Sequence, residues 1–171
     1  IVAVLISSCT TYKPTIIYKV PTIPEISEDQ KKQLLSDHKS YDAVILDKQF
    51  YIEHCYPSYW EKKTIDYTSY LIINPNSERY TTFKAVSHPS NKILNINLRV
   101  FYPNNEYLEY TLSDCHSETN SSNETTYKIA YPNITQGCII QESIEYSKYY
   151  NSQFHTIPLQ FNIPTLNYDF V

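Results

Sequence analysis

The stretch "KILNINLRVFYPNNEYLEYTL", residues 92–112, decides the fold. Leu94, Ile96, Leu98 and Val100 alternate with Asn95, Asn97 and Arg99, and after Pro103-Asn104-Asn105 the alternation resumes at Leu108, Tyr110 and Leu112. A period of two puts the apolar set on one face of a strand, and Pro-Asn-Asn supplies turn chemistry between two strands. The reading is a β-hairpin with one buried face.

The same period extends outward. Val44-Ile45-Leu46 leads into Phe50, Ile52 and His54 opposite Tyr51 and Glu53. After a polar turn around Pro57, Ile65, Tyr67, Ser69, Leu71 and Ile73 alternate with Asp66, Thr68 and Tyr70 until "NPNSE" (74–78) ends the strand. Tyr80 to Val86 reads as extended, as do Tyr127, Ile129 and Tyr131. Gly137, the single glycine, marks a turn before Cys138, Ile140, Ile144 and Tyr146, whose shared face is broken by Glu142. "SDCHSETNSSNETT" (113–126) is polar and aperiodic and reads as a mobile loop. Ile157 to Val171 reads as one or two more strands interrupted by Pro158 and Pro164, with Pro164 suited to an edge or a bulge. Ahead of the strands, Ser27-Glu28-Asp29-Gln30 has the form of a capping box and predicts a short surface helix carrying Leu34 and Leu35 and ending near Ser40. Six or seven short strands with one peripheral helix predict an all-β fold, an antiparallel β-sandwich.

A chain of 171 residues is about one domain. With a net charge of −4 and a pI near 5.7 it lacks the basic footprint of a nucleic-acid binder, so no nucleic-acid partner is expected. The four cysteines are Cys9, Cys55, Cys115 and Cys138. Setting Cys9 aside leaves three, enough for one bridge at most, and the partner of Cys55 stays open between Cys115 and Cys138. Their spacing matches no zinc pattern, and no cofactor or metal is expected.

Ile1 to Ile6 is too short an apolar run to span a bilayer. Ile6-Ser7-Ser8-Cys9 resembles the lipobox of bacterial lipoprotein signal peptides, in which small residues precede the cysteine that is lipidated. The resemblance implies that residues 1–8 are part of a signal peptide, that Cys9 is the lipidation site, and that the basic n-region lies upstream of Ile1. The Thr-, Pro- and Lys-rich run that follows reads as a tether, so residues 9–40 form tether and helix, and residues 41–171 the sandwich. Tyr168, Phe170 and Val171 are still strand-like, which predicts that the domain continues beyond Val171.

Three elements in order, the hairpin "LRVFYPNNEYLEYTL", the strand entered through "YPNITQGCIIQESIEY" and the Pro-containing "IPLQFNIPTLNYDF", look like the uncharacterised N-terminal β-sandwich domain that precedes transglutaminase-like domains in many bacterial envelope proteins. That family usually has Pro-Asp-Gly at the hairpin turn and Pro-Gly-Asp before the later strand. Here Pro103-Asn104-Asn105 and Gln136-Gly137-Cys138 stand instead, with Asn able to adopt the left-handed geometry of Gly. The resemblance spans roughly residues 41–171. It implies an Ig-like sandwich outside the cytoplasm, often on a lipoprotein facing periplasm or surface, with no catalytic residues of its own. The implied partner is a transglutaminase-like domain in cis, with its Cys-His-Asp triad, and the membrane is met only through the lipid anchor.

Local candidates for chemistry are weighed against this. Cys138 follows a glycine but opens an alternating strand, without the base and helix N-terminus that activate a thiol, and is expected in the core. Asp114-Cys115-His116 holds triad residue types, but three consecutive side chains do not converge on one atom. Asn120, Asn123 and Asn133 head sequons at a frequency chance supplies in a chain so rich in Asn, Ser and Thr. Trp60 with Tyr56, Tyr59 and Tyr67 form a candidate ligand platform, since aromatic faces stack on sugars. The sequence therefore predicts a non-catalytic scaffold or interaction module. The alternative is a free-standing lipoprotein that binds a glycan or protein through the Trp60 group.

Overall fold

The structure, a computed structural model, describes residues 26–54, 61–149 and 162–170. Helix α1 (Glu28–Asp37) precedes strands β1 (Ala43–His54) and β2 (Glu61–Ile72), the single-turn helix α2 (Glu78–Thr81), and strands β3 (Thr82–Ser87), β4 (Asn91–Phe101) and β5 (Tyr107–Thr111). Then come β6 (His116–Thr119), β7 (Thr125–Ala130), β8 (Ile139–Tyr149) and β9 (Thr165–Phe170). The architecture is all-β, with a six-stranded sheet of order β5-β4-β8-β2-β1-β9 and a three-stranded sheet of order β3-β7-β6.

The hairpin forms where its alternation places it. β4 and β5 pair from Asn97↔Thr111 to Phe101↔Tyr107, and the turn closes through Asn105 N–H to the Tyr102 carbonyl at 3.0 Å with Asn105 at φ 65°. Ile96, Leu98 and Val100 of β4 are fully buried. They share one core with Ile140 of β8 and with Phe83 and Ala85 of β3 in the other sheet. Leu94 departs from the expected face: the register shifts between Ile93 and Asn95, so Ile93 takes the inward position and Leu94 is 43% exposed. A similar shift between Ile45 and Asp47 leaves Asp47 on the same, opposite face as Val44 and Leu46.

On that opposite face Val44, Leu46, Leu71, Ile73 and Ile139 form a second cluster, packed by Leu34 and Leu35 of α1. The helix begins with the expected capping box: Ser27 Oγ accepts the Gln30 N–H at 3.2 Å and Gln30 Oε1 accepts the Ser27 N–H at 3.0 Å. The large sheet is thus covered on both faces, by the small sheet on one and by α1 over part of the other.

Two expectations need correction. The large sheet is mixed, because β9 runs parallel to β1 at its edge, where Pro164, just before the strand, offers its carbonyl to the Ile45 N–H at 2.8 Å. An edge asks no N–H of a proline. Residues 113–126 carry a 3₁₀ turn and β6 rather than forming a loop throughout. Asn120 Oδ1 accepts the N–H groups of Ser122 and Glu124 and ties the turn between β6 and β7. Every residue of β6 is exposed, so burial leaves no period for the sequence to display. Among the described residues no helix is long and apolar enough to cross a membrane.

Candidate functional site

β8 lies between β4 and β2, and its inward face reads Ile140, Glu142, Ile144 and Tyr146. Strand pairing places Glu142 opposite Leu98 on one side and Thr68 on the other, with Lys48 opposite Thr68 on the next strand. Glu142 is partly buried, and burial is the main cause that pushes its carboxyl up from the ordinary 4.5 to about 7. Asp66 adds to the rise, while Tyr131, Lys48 and Arg79 oppose it. The Tyr131 hydroxyl donates to Glu142 Oε1 at 3.0 Å. Lys48 pairs with Asp66 and donates to Thr68 Oγ1 at 2.7 Å, so its charge is largely spent one strand away.

Glu142 reaches solvent through a cavity of about 460 Å³. Its aromatic wall is Tyr70, Tyr80 and Phe83, with Tyr70 and Tyr80 edge to face at 5.6 Å. Glu78, Arg79 and Lys84 also line it, and the Arg79 guanidinium lies over the Tyr80 ring, 5.6 Å from its centroid. Burial pushes the Tyr70 and Tyr131 phenols up, so both remain protonated donors at neutral pH. The arrangement sets a proton-exchanging acid on one wall and a permanent cation on another.

A second polar group lies on the sheet's other face. Arg99, Gln141, Ser69 and Asp47 stand side by side across four strands. Gln141 is 2% exposed, yet among the described residues neither amide atom has a hydrogen-bond partner, and Arg99 Nη1 is likewise unpaired there. Arg99 spends Nε and Nη2 on Glu109 Oε1, at 3.0 and 2.8 Å.

Of the residues singled out by sequence, Cys9, Cys55, Tyr56, Tyr59 and Trp60 lie outside the described residues. Tyr67 is 1% exposed on the sheet's α1-facing side, and burial pushes its phenol up to about 12, so its ring offers no platform to solvent. Cys138 is fully buried in the core, and its Sγ lies 3.4 Å from the Thr135 N–H and 3.5 Å from the Thr135 hydroxyl. Asp114, Cys115 and His116 diverge. Asp114 accepts from the Thr111 N–H and hydroxyl, Cys115 Sγ faces the Thr111 carbonyl, and His116 meets Glu118 at 3.2 Å. Burial, with Asp114 beside it, pushes the Cys115 thiol up. Among the described residues no three His, Cys, Asp or Glu side chains gather as a metal site. The sequence signal for the Glu142 site is the carboxylate that interrupts the apolar face of β8. Nothing in the spacing links it to Arg79, which a turn of helix brings alongside.

No family model matches the sequence, and no curated protein matches it. In structure the chain is similar to part of a protein from Parabacteroides distasonis ATCC 8503, named a "putative protease". The TM-score is 0.51 at 6% identity, over 64% of this chain and 24% of that one. At this identity the likeness concerns the fold alone, and this chain matches a minor share of the longer protein's length.

Proposed function

We infer that residues 41–171 are an Ig-like sandwich module, a non-catalytic scaffold or interaction domain of a larger bacterial envelope protein. In this reading the chain is anchored through lipidated Cys9 and precedes a transglutaminase-like domain that carries the chemistry. The observation that carries the reading is how the turns behind the family resemblance are used. Asn105 takes the left-handed conformation at φ 65°, Gly137 does so at φ 86°, and Pro164 leads into an edge strand. Asn105 stands where the family has Gly, while Gly137 and Pro164 keep the residue types of the resemblance, and Asn and Gly are the residues that take left-handed backbone most readily. The two-sheet core they frame supports the sandwich.

The anchor is tested by feeding radiolabelled palmitate to cells making the full-length protein and its Cys9→Ser variant. Label on the wild type alone is the expected result. A wild type that carries none while an established lipoprotein in the same cells is labelled would overturn the anchor.

A further inference from the structure

We propose that the cavity floored by Glu142 binds a small zwitterionic amino acid, its ammonium on the Glu142 carboxylate and its carboxylate on the Arg79 guanidinium. Both charges line one cavity, yet they form no ion pair with each other. Among the described residues Glu142 makes a single hydrogen bond, through Oε1 to Tyr131, which leaves Oε2 as an acceptor. Arg79 makes no ion pair among the described residues and rests on Tyr80, so its planar fork of donors is available. A ligand carrying both charges satisfies both walls at once.

Simpler ligands fit less well. A lone cation meets Arg79 and Lys84 at the cavity lining, and a lone anion meets Glu78 and Glu142. Between the two charged groups, Tyr70, Tyr80 and Phe83 offer an apolar wall for a side chain and ring faces for the ammonium. The volume of about 460 Å³ lies in the range of small-molecule sites. The module reading does not enter this inference, since a sandwich of any wider role could hold the ligand.

Binding through a carboxylate requires Glu142 ionised. The groups that face it are Lys48 on β1, Asp66 and Tyr70 on β2, Glu78, Arg79 and Tyr80 on α2, Lys84 on β3, Tyr131 after β7 and Tyr146 on β8. Lys48 and Asp66 offset each other, and the phenols stay protonated below about pH 9. The proton that Glu142 gives up on binding goes to solvent. Affinity therefore rises about tenfold from about pH 6 to about pH 8, as the binding-competent ionised form comes to dominate.

The test is ligand-observed NMR on the full chain with leucine, with isoamylamine, which lacks the carboxylate, and with 4-methylpentanoate, which lacks the amine. Leucine is expected to bind, both analogues about tenfold or more weakly, and Glu142→Gln and Arg79→Met to weaken leucine by a similar factor. Glu142→Asp, which keeps the charge, and the dispersion of each variant's spectrum separate loss of the site from loss of fold. An analogue that matches leucine, or no binding of alanine, leucine or phenylalanine at about 10 mM, overturns the proposal. Equal affinity for a neutral sugar across the pH range would also overturn it.

Discussion

Glu142→Gln should remove a defined part of the protein's stability-versus-pH profile. The carboxyl titrates near 7 in the fold and at an ordinary 4.5 once the chain unfolds. Below 4.5 it is protonated in both states, and the stability of the protonated form is fully present. Between 4.5 and 7 the unfolded chain gives up the proton while the folded one keeps it, so stability falls as pH rises and the loss is complete above 7. The difference amounts to about 3 kcal/mol at most, since one pKa unit is about 1.4 kcal/mol. The amide introduced by the substitution cannot ionise, and its oxygen can still accept from Tyr131. The variant is therefore expected to match the wild type near about pH 4 and to exceed it by about 2–3 kcal/mol near about pH 8. Urea unfolding of both proteins at closely spaced pH values gives the difference curve. Asp114, Glu118 and Glu124, which their hydrogen bonds hold below the usual range, slope the other way in both proteins and cancel. Two profiles that stay parallel from about pH 4 to about pH 8 would refute a raised carboxyl at this position.

Leu98→Ala empties a fully buried site between the sheets and should cost about 2–5 kcal/mol in urea unfolding, whereas a cost below about 1 would deny Leu98 its place in the shared core. At Gly137 an added Cβ meets Lys31 Cε at 3.4 Å and Pro103 Cγ at 3.7 Å, so the penalty lies in the left-handed backbone more than in crowding. Gly137→Asn should consequently lower the melting temperature less than Gly137→Val, by a margin equivalent to about 1 kcal/mol, and equal losses would refute that cause. Gln141→Leu removes two unpaired buried polar atoms and should stabilise the protein by about 1 kcal/mol in calorimetry, while a destabilised variant would mean that the amide is satisfied in solution.

Much of the fold is legible because one-sided burial writes a period of two. Ile96, Leu98 and Val100 declare β4, and the reciprocal Ser27–Gln30 cap declares α1. Leu94 misleads because a bulge breaks that period while leaving the residue apolar, and apolarity alone does not register a shift. β6 escapes for the opposite reason: its exposed residues bury nothing, and hydrogen bonds around Asn120 hold its turn. β1 and β2 bury side chains on both faces, so their strands are visible but the faces are not. Tyr67, a binding candidate by sequence, sits instead beneath the side of the sheet that carries α1. Of the candidate site, Glu142 announces itself by breaking an apolar face. Arg79 and Tyr80 do not, because the single turn of α2 that carries them straddles the end of the "NPNSE" turn and the start of the extended-looking run from Tyr80.

Reading the coding sequence on both sides of these residues decides whether this is a lipid-anchored module ahead of a second domain. A basic segment with a start codon just upstream of Ile1 is expected and, beyond Val171, a domain carrying the Cys-His-Asp set of a transglutaminase-like fold. A stop codon soon after Val171, together with a hydrophilic leader ahead of Ile1, would contradict that reading.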